Sequence, residues 1–95
     1  MSIYITSHAY IRYIERSMDI NLDDFKDWGM EDKDILDFLN IDTNILNAKI
    51  LGNQDRLKKI ITTIGGDGIV CKIGVGRTHR LVVLGNKILS VLPND

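Results

Sequence analysis

The sequence predicts an α+β domain in which N-terminal helices pack on a C-terminal antiparallel β-meander. Three observations carry that expectation. Apolar residues recur at helical spacing through most of the first 47 residues, and from Gly65 onward the period shortens to a strand-like alternation. Residues 69–75, 78–84 and 87–92 form three apolar-rich runs, separated by Gly76-Arg77 and Gly85-Asn86, links short enough for hairpins. With 95 residues, 44% of them hydrophobic and 26% charged, residues 1–95 fit a single domain with a modest core. Helices followed by consecutive strands place those helices on one face of an antiparallel sheet.

Taken in order, Ile3-Tyr4-Ile5 favours extended backbone and is expected as an added edge strand. Thr6 or Ser7 can accept from the free N–H groups of a first turn, so a helix is expected over residues 6–17. Asn21 can cap a second, brief helix whose dipole Asp23 and Asp24 complement, and Gly29 suits its C-terminal end. Residues 30–47 continue the helical pattern, which weakens over residues 40–44 and there separates two helices. Residues 48–53 read as a turn or the start of a strand, and residues 54–64 are helical in their first half and β-branched in their second. Gly65-Gly66-Asp67-Gly68 is a turn, and Pro93 ends the last strand, where a missing donor is tolerable.

Charge is segregated along the chain. Residues 1–47 carry ten acids against four bases, whereas residues 48–95 carry eight bases against three acids, although the net charge is only −1. A basic second half suits a polyanionic ligand, and an acidic first half suits a basic partner. No apolar run approaches the roughly 20 residues of a membrane span, and the first residues lack the regions of a signal peptide, so a cytoplasmic protein without membrane contact is expected. Cys71, the one cysteine, lies among apolar residues and reads as a small core side chain. The two histidines stand 71 positions apart and no His or Cys pair has ligand spacing, so neither a metal site nor a cofactor is expected. Gly74-Val75-Gly76-Arg77 joins two strands and opens no helix, which argues against a nucleotide-binding fingerprint.

Two clusters carry candidate chemistry. On a helix beginning at Thr6 or Ser7, His8, Arg12, Glu15 and Arg16 share one arc, while Ala9, Tyr13, Tyr10, Ile14, Met18 and Ile11 fill the remainder. The positive helix end favours a neutral imidazole, so His8 offers a proton acceptor beside two permanent cations, a reception site for phosphate. A capping or packing role for His8 fits the same spacing. The second cluster is Arg77, His79 and Arg80, with Lys72 on the strand before it: Arg77, Arg80 and Lys72 are candidates to hold phosphates, and His79 to serve as acid or base. Solubilising turn residues and a half-buried histidine would produce the same pattern.

A helix opening His8-Ala9 with Arg12 and Arg16 four and eight positions on, together with a terminal meander ending Lys87-Ile88-Leu89-Ser90-Val91-Leu92-Pro93, resembles a set of small bacterial and phage domains. Those domains are similar to the barnase/RelE/colicin group of metal-independent ribonucleases. The resemblance covers about residues 3–20 and 69–93 and implies helices against a four-stranded antiparallel sheet. It also implies RNA cleavage by attack of a 2′-hydroxyl on the adjacent phosphate, with His8, Arg12 and Arg16 on the matching helix positions.

The leading expectation is thus a toxin-like, RNA-cleaving domain with His8, Arg12, Arg16 and His79 as catalytic residues, and with RNA, and an antitoxin, as partners. A non-enzymatic phage or mobile-element protein that inhibits a host factor through an acidic helical surface, with Asp23, Asp24 and Asp27 as contacts, is the rival expectation. A module for small phosphorylated ligands is a third.

Overall fold

The computed structural model describes residues 2–64 and 70–93. Tyr4–Ile5 forms a short strand, β1, after which Thr6 redirects the chain into helix α1 (Ser7–Met18). The Thr6 hydroxyl accepts from the Ala9 amide at 3.2 Å, satisfying one of the free donors of the first turn. Asp19, in the left-handed region at φ 51°, closes the helix. Ala9, Ile11 and Ile14 supply its buried face.

Four further helices follow: α2 (Asp23–Asp27), α3 (Asp32–Leu39), α4 (Thr43–Leu51) and α5 (Gln54–Ile64). Side-chain oxygens start most of them: Asn21 accepts from the Asp23 amide at 2.8 Å, Asp42 from Asn44 at 2.9 Å, and Asn53 from Arg56 at 3.1 Å. Gly29, at φ +83°, follows the end of α2, and Asn40 in the left-handed region ends α3. Residues 48–51 belong to α4, so the expected turn or strand start is displaced to Gly52. The β-branched end of α5 is helical because Leu57 and Ile61 reach the core, while Thr62 and Thr63 donate back to the carbonyls of Lys58 and Lys59, each at 2.8 Å. Tyr10 donates to Asn47 Oδ1 and so ties α1 to α4. Burial pushes the Tyr10 phenol up from the usual tyrosine range, against the opposing effect of that hydrogen bond.

The last three strands, β2 (Val70–Val75), β3 (His79–Leu84) and β4 (Lys87–Pro93), form the expected antiparallel meander. The turn expected at residues 65–68, and Ile69, lie outside the described residues. The strand order is β1-β4-β3-β2, and β1 joins the edge of β4 in parallel, with Tyr4 beside Lys87 and Ile5 beside Ile88. The chain is therefore α+β, but with a mixed sheet and with helices that continue to residue 64 rather than keeping to the N-terminal part. Two edge residues so far from β4 in sequence leave no local sign of parallel pairing.

Alternation divides the sheet into two faces. His79, Leu81 and Val83 on β3, with Ile73, Ile88 and Val91 beside them, are buried in a core shared with Ile11, Ile14, Ile35 and Ile50. A bulge at Val82/Val83 leaves Leu89 unpaired and keeps Ile88 and Val91 on this inner face. Gly52 closes the core where α4 meets β2: at φ +62°, a Cβ on it would come within 2.7 Å of Val75 Cγ1. Gly52→Ala combines an unfavourable backbone region with that clash and is expected to lower stability by about 1–3 kcal/mol. Urea unfolding at unchanged slope checks this; an unaltered midpoint would show that Val75 moves aside freely.

Candidate active site

His8 stands on the second position of α1, and α3 brings a carboxylate to it. Asp32 Oδ2 lies 3.1 Å from His8 Nδ1. A carboxylate only accepts, so Nδ1 carries the hydrogen in this pair and Nε2 is left as the acceptor of a neutral ring. Nε2 faces Arg12 Nε at 3.4 Å, a long contact one helical turn away. The His8 side chain is 39% exposed, so its outer edge is open to a ligand.

Asp32 is itself held from the other side. Lys26 of α2 places Nζ 3.6 Å from Asp32 Oδ1, a charge contact just too long for a hydrogen bond, and Oδ1 is otherwise buried without a hydrogen-bond partner. Three helices thus contribute one chain of charges, Lys26–Asp32–His8–Arg12. Glu15 extends it: its Oε1 lies 3.5 Å from Arg12 Nη1, and its Oε2 accepts from the Leu22 amide at 3.4 Å. A shallow groove at the end of α1 sets Arg12 and Arg16 beside Glu15, Asp19 and Asp23, which offset part of the arginine charge there.

Arg16 continues the α1 stripe to a second concavity. Its Nε donates to the Val91 carbonyl at 3.0 Å, which fixes the guanidinium over β4. There Arg16, Lys49, Thr78 and His79, with apolar walls from Tyr13 and Val91, line a cleft of about 540 Å³ that no carboxylate enters among the described residues. Lys49 is exposed at the end of α4. The cleft combines the cations Arg16 and Lys49 with the hydroxyls of Ser17 and Thr78, which suits an anion.

His79 serves the fold within that cleft. It is 5% exposed, its Nε2 donates to the Ile50 carbonyl at 2.8 Å, and Tyr13 meets its ring edge-on at a centroid distance of 5.3 Å. Its Nδ1 shares a 2.7 Å hydrogen bond with the Thr78 hydroxyl, which also lies 3.0 Å from the Val75 carbonyl. Both ring nitrogens are engaged by protein, which leaves neither directed at a substrate proton.

The expected site residues are therefore dispersed over the fold. His8 and Arg12 sit together; Arg16 and His79 share the cleft; His8 and His79 have no partner in common. Arg77 is exposed in the β2–β3 turn. Lys72 and Arg80 project from the face of the sheet opposite His79, and Arg80 Nε reaches the Pro93 carbonyl at 3.4 Å. Asp23, Asp24 and Asp27 are exposed on α2, next to a ring cluster in which Phe25 contacts Trp28 and Phe38, each at 5.5 Å. Asp32 and Lys26 are the functional candidates that sequence reasoning missed, because an aspartate 24 positions from His8 carries no local sign of that contact. Among the described residues no group of three or more His, Cys, Asp or Glu side chains is placed to hold a metal ion, and no helix is long and apolar enough to cross a membrane.

Compared with known proteins, the chain matches no family model, no curated protein and no solved structure.

His79→Phe keeps an aromatic ring, though a larger one, and removes both polar contacts, stranding the Ile50 carbonyl in the core. It is expected to cost about 1–3 kcal/mol of stability. Thermal and urea unfolding measure this, and wild-type stability in the variant would show that those two hydrogen bonds contribute nothing net.

Proposed function

We propose that this chain is a metal-independent, ribonuclease-like domain whose general base is His8. The observation that carries the reading is the Asp32–His8–Arg12 arrangement: a carboxylate fixes Nδ1–H and leaves Nε2 as a proton acceptor, with a guanidinium beside it. In the proposed step His8 Nε2 takes the proton of a ribose 2′-hydroxyl. The 2′-oxygen then bonds to phosphorus as the bond from phosphorus to the 5′-oxygen breaks, and that leaving oxygen takes a proton from water. Arg12, released from its long contact with His8, binds the phosphate and stabilises the charge that builds on it. Asp32 stabilises the imidazolium as it forms. Arg16, further along α1, and Lys49 of α4 hold a neighbouring phosphate in the cleft they line together. His79 positions the cleft wall and transfers no proton.

A second reading, a protein that binds a partner through α2 and α3, is favoured by one observation. Trp28 is 74% exposed and Phe38 66%, joined through Phe25 and bordered by Asp24, Asp27 and Asp37. Large exposed aromatic surfaces with an acidic border suit a basic protein surface with an apolar pocket.

Cleavage of a mixed RNA pool with chelator present separates the two. His8→Ala is expected to lower cleavage by roughly 10²- to 10⁴-fold with little loss of RNA affinity. Asp32→Asn, whose amide can present a hydrogen to Nδ1 and turn the ring to the other tautomer, is expected to lose at least about 10²-fold. No cleavage by the wild type above a buffer control, or equal cleavage by wild type and His8→Ala, would reject the nuclease and favour the partner-binding protein.

A further inference from the structure

The helices cover one face of the sheet and leave the other open. Val82, Leu84 and Leu92 on that outer face are only half-buried and lie outside the set of side chains packed against the core. Tyr4 is 59% exposed and Val70 53%. The pairing register arranges this face in three rows. Val70, Leu84 and Lys87 make one with Tyr4; Lys72, Val82 and Ser90 make the next; Gly74, Arg80 and Leu92 make the third. Each row holds one cation on a floor of apolar side chains, and successive rows lie about 7 Å apart, two residues along a strand. Residues 70–93 contain no Asp or Glu at all. Among the described residues, every Asp and Glu lies in a helix or in a segment flanking one.

We propose that this open face of the sheet binds single-stranded RNA. It takes from the nuclease reading only the choice of polyanion, and it lies on the opposite side of the sheet from His8 and the Arg16 cleft. Lys87, Lys72 and Arg80 contact successive phosphates, one per row. Tyr4 and the apolar floor of Val82 and Leu84 receive the faces of unpaired bases, which a duplex would keep stacked inside itself. A second copy of this chain is disfavoured as the occupant, because face-to-face pairing would set the three cations against their own counterparts. The face thereby holds a strand independently of cleavage, and the helical side can act on a remote part of the same molecule.

The test uses the full chain and a short fluorescein-labelled uridine oligoribonucleotide, followed by anisotropy over a series of salt concentrations. The double variant Lys72→Glu/Lys87→Glu is expected to bind at least tenfold more weakly, with a salt slope shallower by roughly 0.7 for each phosphate that is no longer neutralised. The milder Lys72→Ala/Lys87→Ala should weaken binding in the same direction, and it replaces the Glu variant if circular dichroism shows that variant to be misfolded. Tyr4→Ala should weaken binding by roughly fivefold or more. Lys58→Glu/Lys59→Glu on α5 makes the same change in net charge off this face and should leave affinity within about twofold. Unchanged affinity in both the Glu and Ala double variants, an equal loss in the α5 variant, or equal affinity for a duplex would overturn the proposal. So would a dimer in sedimentation that RNA does not dissociate. Binding is read without cleavage, so a chain that binds RNA here and cuts none would retain this inference while losing the nuclease.

Discussion

Helix α1 is fastened to strand β4 at both ends, and most of the molecule depends on that attachment. At one end the Thr6 amide and hydroxyl both donate to the Ile88 carbonyl, at 3.1 and 2.8 Å. At the other, Arg16 Nε donates to the Val91 carbonyl. Between them the helix buries Ala9, Ile11 and Ile14 against the inner face of the sheet. The same Thr6 hydroxyl accepts from Ala9, so a single side chain caps the helix and joins it to the sheet. With the buried stripe committed inward, His8, Arg12 and Arg16 are held on the remaining arc at fixed heights, with Arg16 at its edge against β4. The candidate chemistry is thus a by-product of the same geometry that makes the core.

That attachment also explains why the two histidines differ. His8 lies where α1 meets α3, on the rim, with one nitrogen tied to a carboxylate and the other in a long 3.4 Å contact with Arg12 Nε. His79 lies on the inner face of β3, where both nitrogens must find protein partners because a buried polar atom without one is costly. Ile50 and Thr78 supply them. Burial thus assigns one ring to the fold and leaves the other available, although both stand in arginine-rich stretches of sequence.

Local pattern in the sequence was enough to place α1, with its cap at Thr6 or Ser7, the break at residues 40–44 and the three strands of the meander, since each depends on neighbours within a few residues. It was also enough to set His79, Leu81 and Val83 on one side and Arg80 on the other. What it did not carry were contacts made across long separations. Tyr4 and Ile5 read as extended, yet nothing near them indicates a parallel partner at Lys87 and Ile88. Asp32 looked like one more acid of a solvated helix, and only the packing of α3 beside α1 reveals it as the partner of His8. The β-branched end of α5 left residues 54–64 ambiguous between helix and strand, and the burial of Leu57 and Ile61 settles it as helix. Lys72 and Arg80 were recognisable as basic strand residues, but which side of the sheet the helices leave open is decided by the whole core.

The central claim is that Asp32 fixes the tautomer of His8, because a base role follows only if Nε2 is the nitrogen that carries no hydrogen. Long-range ¹H–¹⁵N correlation spectra of the imidazole rings, at a pH where both are neutral, measure this directly. The account predicts His8 with its hydrogen on Nδ1 and His79 with its hydrogen on Nε2, and loss of the His8 preference in Asp32→Ala. A neutral His8 carrying its hydrogen on Nε2, or one indifferent to the removal of Asp32, would contradict it.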